Sequence, residues 1–164
     1  MSRVYNIIGA DQSVANVAVT TLISIRPSTG LAIEILRMWI SQHANATSAQ
    51  LRIGWGQQAS AFGTLTTGIT PQKVIQGDPA SGITSGTAQA AGTCGINAST
   101  EAVGTKTQLG CDAFNALNGW LWVPGGREGI ILTPSSASAF YLAFTAVPGT
   151  LSGWNFGMTF REIG

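Results

Sequence analysis

Apolar and polar side chains alternate along much of the chain, and this pattern constrains the fold more than any other feature of the sequence. In the segment 154–163, the apolar side chains on one side of an extended chain are Trp154, Phe156, Met158 and Phe160. Alternation with a period of two is typical of a β-strand that buries one face. The segments 15–25 and 50–55 repeat the pattern, so we predict strands there as well.

The segment 31–42 is ambiguous. Glu34 and Arg37 stand three residues apart, as neighbouring side chains on a helix do. Three isoleucines and a tryptophan after the turn RPSTG favour a strand instead. No segment combines a clear helical period with end caps, so the sequence predicts an all-β chain of roughly eight to ten strands.

The surface is poor in charge. Charged residues make up 9% of the chain and hydrophobic residues 45%, so most surface polarity comes from 18 threonines and 14 serines. Such a surface loses little hydration energy when another protein covers it. The eight lysines and arginines are scattered between Arg3 and Arg161, and the net charge is +1. We therefore expect no nucleic-acid partner, because binding nucleic acid requires a basic patch.

The longest uncharged stretch, 129–160, has the length of a membrane span. Pro134, Pro148 and the period of two argue against a membrane helix, so we expect no membrane partner. The start of the chain, MSRVYNIIGADQS, lacks the apolar core of a secretion signal.

Candidate chemical motifs are weak. The stretch GWGQQA at 54–59 matches a dinucleotide-binding fingerprint, but neither a helix nor an acidic residue follows at the required distance. His43 is the only histidine, and the glutamates, including Glu128, are not clustered. We therefore predict no catalytic residues, no cofactor, no metal and no enzymatic activity.

The segment 77–116 consists mainly of Gly, Ala, Ser and Thr, which let two backbones approach closely. We interpret it as a contact surface for another protein, with part of it as an extra strand. Cys94 and Cys111 both lie in it. A disulfide between them is one prediction; two free thiols in a reducing cytosol are the alternative.

Two stretches carry a family resemblance: TPQKVIQGDPASGITSGTAQA at 70–90, and the C-terminal part from LNGWLWVPGG to REIG. They resemble the head-decoration, or cement, proteins of tailed bacteriophages. The resemblance implies a single jelly-roll β-sandwich of roughly eight to ten antiparallel strands over residues 1–164. The long small-residue segment 77–116 is then an insertion in this fold.

The resemblance also implies a function. Such a protein is expected to bind the major capsid protein as a homotrimer on the outer surface of the virion, after synthesis in the host cytoplasm. The residues predicted to make assembly contacts are Val4, Ile7, Ile8, Asp78 and Pro79. Residues 1–13 fit either an edge strand or an arm that reaches a neighbouring subunit.

An alternative function is a carbohydrate- or receptor-binding knob of a tail fibre or spike, because jelly rolls also host sugar sites. In that case Trp39 or Trp55 would stack on a sugar ring. Core packing is the simpler role for the five tryptophans.

Overall fold

The computed structural model describes residues 3–17, 19–44, 47–125, 129–134 and 137–164, and the regular elements in these ranges are all strands. The thirteen described strands are β1 (Arg3–Gln12), β2 (Thr20–Arg26), β3 (Ala32–Gln42), β4 (Gln50–Ala59), β5 (Thr64–Gly68), β6 (Gln72–Lys73), β7 (Thr84–Ser85), β8 (Thr93–Thr100), β9 (Thr105–Asn115), β10 (Trp120–Trp122), β11 (Ile130–Leu132), β12 (Ser138–Phe144) and β13 (Trp154–Ile163). The ambiguous segment 31–42 is therefore a strand. No helix within the described ranges is long and apolar enough to cross a membrane.

The strands form two sheets that pack face to face. In the first sheet the order is β10–β3–β13–β1–β6, and β11 also pairs with β3. In the second sheet the order is β5–β8–β2–β12–β4–β9, and β7 pairs with β8. The predicted all-β sandwich is confirmed.

The strand order follows from nested antiparallel pairs. β1 pairs with β13, β2 with β12, β3 with both β10 and β11, and β4 with β9. This nesting is what a long antiparallel ribbon produces when it rolls over on itself, and it defines a jelly roll. The strand count exceeds the expected number for two reasons. One jelly-roll position is divided between β10 and β11, and β5 to β8 are inserted between β4 and β9.

The insertion begins earlier than the sequence suggested. It runs from the end of β4 to the start of β9, whereas we expected it at 77–116. Within that predicted segment, β8 lies inside the second sheet and residues 94–98 are buried. Those residues belong to the sandwich itself and are not free to form an outer contact surface.

Large aromatic side chains fill the space between the sheets. The largest fully buried ones include Trp154, Phe140, Phe144, Phe156 and Phe160. Phe144 and Trp154 meet edge to face with ring centroids 4.8 Å apart, which is a favourable aromatic geometry. These residues come from β12 and β13, so each sheet contributes to the core.

The middle of the outer face of the second sheet is buried, whereas its β9 edge is exposed. The outward-facing residues of β12 are Ala139, Tyr141 and Ala143, and all are buried. β8 and β9 lie four strand positions apart, so their connection, 101–104, must cross this sheet. Glu101 fixes the crossing: its carboxylate accepts hydrogen bonds from the Thr21 backbone N–H at 2.5 Å and from Lys106 Nζ at 3.0 Å.

We predict that Glu101→Ala lowers the free energy of unfolding by about 1–3 kcal/mol, because it leaves the Thr21 N–H without its acceptor. Urea denaturation followed by tryptophan fluorescence measures this loss. The control, Lys106→Ala, leaves the Thr21 N–H with its acceptor; it removes an ion pair and a cation–π contact with the Tyr141 ring, and should cost about 1 kcal/mol or less. Equal losses in the two variants would contradict the role given to Glu101.

Candidate interaction surface

The outward side of the first sheet, which we call the open face, carries an apolar row across four strands. Antiparallel pairing places in this row Leu121, Trp39, Gly157 and Ile8. The side chains of Leu121 and Ile8 are 64% and 46% exposed, and Trp39 is half-buried. The solvated face of an antiparallel sheet is normally polar, so an apolar row here indicates a surface that another molecule covers.

Trp39 owes its position to Gly157. A Cβ atom at position 157 would overlap the Trp39 indole, so only glycine lets the ring lie flat on the sheet. A shallow depression of about 380 Å³ lies next to Trp39 and Leu121. The row therefore offers a flat aromatic platform with a shallow hollow at its β10 end.

A polar row follows on the same face. Arg37 Nε donates to Thr159 Oγ1 at 2.9 Å, and Thr159 Oγ1 donates to Asn6 Oδ1 at 2.7 Å. The Arg37 guanidinium carbon lies 5.1 Å from the centre of the Trp39 ring, within cation–π range. These contacts hold the exposed Arg37 side chain against the platform.

The third row contains an ion pair between apolar ends. Arg161 Nε donates to Glu34 Oε2 at 2.8 Å. Glu34 lies opposite Ile131 of β11, and Arg161 lies opposite Val4 of β1. The charges of this row compensate each other, and the residues at its two ends are apolar: Ile131 is exposed and Val4 is half-buried.

The structure separates the predicted N-terminal contacts. Val4 and Ile8 lie on the open face, but Ile7 is fully buried in the core and is not accessible to a neighbouring subunit. The reason is the alternation of β1, which turns Tyr5 and Ile7 inward. β1 pairs with β13 along its length and with β6 through two residue pairs, so residues 3–12 are a strand of the sandwich and not a free arm.

Asp78 and Pro79 lie apart from these rows, in the loop between β6 and β7. Tyr5 Oη donates to the Pro79 carbonyl at 3.1 Å. Glu162 accepts hydrogen bonds from Ser81 Oγ at 2.6 Å and from the Gly82 N–H at 2.7 Å. The GDPAS stretch is thereby fastened to the β1–β13 pair, which gives it a structural role in the isolated chain.

The positions of the other candidate site residues show which of them are accessible to a ligand. The fingerprint segment 54–59 is part of β4, and no helix follows it in the described residues. Trp55 is buried against Trp120, with ring centroids 5.4 Å apart, so it is not available to stack on a sugar. His43 is exposed, with Nε2 3.4 Å from Asp11 Oδ1. Glu128 lies outside the described residues.

Two residues of the open face escaped the sequence analysis. We considered Arg37 only as a helical neighbour of Glu34, and we did not single out Leu121.

Within the described ranges, no group of three His, Cys, Asp or Glu side chains could hold a metal ion. We therefore take the open face, with its exposed apolar row, as the candidate functional surface of the described chain.

Comparisons of the chain with models of protein families, with curated proteins and with solved structures found no match. The function must therefore be inferred from the geometry of the chain itself.

The predicted disulfide is wrong for this structure. Cys94 in β8 and Cys111 in β9 are both free thiols. The two strands are four positions apart in the second sheet, about 19 Å at roughly 4.8 Å per strand. A disulfide needs Cα atoms within about 7 Å. Closeness in sequence misled us here because the connection 101–104 carries the chain across the whole sheet.

The two thiols should differ sharply in reactivity. Burial raises the pKa of the Cys94 thiol to about 12, and its Sγ donates to the Ile69 carbonyl at 3.1 Å. Cys111 is exposed. Because only the thiolate attacks, we predict that iodoacetamide at mildly alkaline pH modifies Cys111 alone in the folded chain and both residues in denaturant. Peptide mass spectrometry checks this, and rapid native labelling of Cys94 would contradict it.

Proposed function

We propose that this chain is a structural virion protein that binds the major capsid protein on the outside of the capsid and reinforces the shell as a homotrimer. The observation that carries the proposal is the uncovered apolar row formed by Leu121, Trp39 and Ile8. The jelly-roll strand order and the resemblance of the GDPAS stretch to decoration proteins support the viral setting.

The open face suits a broad, shallow contact. Three spacings between four strands make the apolar row about 14 Å long. A stable interface needs about 800 Å² per partner, so the contact must extend over several rows. Few charges on the chain keep the cost of desolvation low. Three copies in one trimer multiply a modest affinity, because each further contact forms at a high effective concentration.

A second candidate function is carbohydrate binding, and the half-exposed Trp39 favours it. Two features count against it. Leu121 and Ile8 on either side of the platform are apolar, and the Thr159 hydroxyl and the Asn6 side-chain oxygen, which a sugar would need, already hydrogen-bond to each other. On a glycan array we expect no specific binding. A specific sugar whose binding is lost in Trp39→Ala would establish this candidate instead.

The proposal predicts that purified virions contain this chain in copy numbers comparable to those of the shell protein. Quantitative gel analysis and cryo-electron microscopy of the particles measure this. A density on the outer capsid surface at three-fold positions is the expected result. A few copies confined to the tail tip would contradict the proposal.

The contact surface can be tested in the same system. Leu121→Lys places a charge in the apolar row, so we expect at least a tenfold loss of binding to particles that lack the protein. Leu121 is exposed, and its replacement should leave the unfolding free energy within about 0.5 kcal/mol of the original. The matched control is Leu109→Lys on β9, where an exposed leucine lies away from the open face. Equal effects of both variants would refute the assigned surface.

A further inference from the structure

Arg37 is held in one orientation by its neighbours. Its Nε atom is bonded to Thr159 Oγ1, and Thr159 in turn is bonded to Asn6. Thr159 is buried, so this anchor is part of the rigid sheet. The two terminal nitrogens of Arg37 have no hydrogen-bond partner among the described residues. An arginine fixed in this way loses little side-chain conformational entropy when both of its terminal nitrogens bind a planar anion.

Among the described residues of the three rows, Arg37 is also the charge that no opposite charge compensates. The other charged side chains in its three described rows are Glu34 and Arg161, which pair with each other. Arg37 itself is exposed and has no ion-pair partner among the described residues. A second copy placed on this face would offer Arg37, from the three described rows, only the Glu34 carboxylate, which Arg161 already binds. Charge complementarity therefore favours a partner that supplies a carboxylate.

We propose that the partner surface of the open face carries a glutamate or aspartate next to an apolar side chain. The carboxylate binds the terminal nitrogens of Arg37 through two hydrogen bonds. The apolar side chain packs on the Trp39 ring, between Leu121 and Ile8. This inference specifies which chemical groups the partner of the proposed function presents. It rests on the proposed function in one respect, namely that the partner is a protein.

The apolar flanks favour a protein over an acidic sugar or a phosphate. A sugar or phosphate at Arg37 would leave Leu121 and Ile8 in water, 64% and 46% exposed. A protein surface covers them together with the platform and gains the apolar area that they expose. Trp39 and Arg37 thus act as one recognition pair, the ring for the apolar group and the guanidinium for the carboxylate.

A pair of dipeptides tests this without any virion. Nuclear magnetic resonance of the full chain follows the Arg37 Nε–H and Trp39 indole N–H signals during titration with N-acetyl-leucyl-glutamate amide and with its glutamine counterpart. We expect the glutamate peptide to shift both signals and to bind about fivefold more tightly, the upper range for an exposed ion pair. Arg37→Lys should remove most of this difference because lysine lacks the planar fork. The matched control, Arg52→Lys, replaces an exposed arginine on the second sheet and should preserve the difference.

Each other outcome counts against the proposal. Equal binding of the two dipeptides, or no shift at Arg37 up to the solubility limit, would show that Arg37 does not select a carboxylate. Tighter binding of N-acetylneuraminic acid than of the glutamate peptide would indicate an acidic sugar. Equal binding of inorganic phosphate would indicate a site for anions in general. The proposed virion role is tested separately. If the chain is absent from the capsid but still prefers the glutamate dipeptide, the virion role is refuted and the carboxylate preference of Arg37 stands.

Discussion

The hydrogen bonds of the Glu101 carboxylate hold the chain segment that crosses the second sheet, whereas the outward side of the first sheet is left open to a partner. They pin the connection between β8 and β9 to Thr21 of β2, and that connection crosses the second sheet. Tyr141 and its outward neighbours on β12 are buried, and Lys106, just after the connection, lies with its Nζ atom 5.1 Å from the centre of the Tyr141 ring. Within the described residues no comparable segment crosses the first sheet, so its apolar row stays exposed. The asymmetry between the two sheets is the physical basis for assigning a contact surface to the open face.

A bulge in β3 completes that surface. The register against β13 shifts so that Arg37 lies opposite Thr159 and Ile35 opposite Phe160, which leaves Leu36 unpaired. If Leu36 were an ordinary paired residue and not a bulge, strict alternation would turn Arg37 inward with Ile35. The bulge therefore places the charged end of the recognition pair in solvent while the isoleucines of the same strand remain in the core.

The sequence predicted the strands with long alternating side chains, such as β13, because their burial pattern is visible in the order of residues. It did not predict the bulge at Leu36, which depends on the partner strand. It also misled us about the small residues of 77–116. Gly110, for example, is small because the Trp55 indole lies where a side chain would be, and not because another protein approaches it. Which strands pair within a sheet depends on residues far apart in the sequence, and a local pattern of side chains does not reveal it.

The central claim is that another molecule covers the open face in the native assembly. Hydroxyl-radical footprinting of the chain in purified native particles and as free recombinant protein tests it directly, because oxidation reports the exposure of each side chain. The account predicts that Trp39, Leu121 and Ile8 become strongly protected in the particle, while Leu109 on β9 keeps its reactivity. Unchanged oxidation of these three residues in the particle would contradict the account.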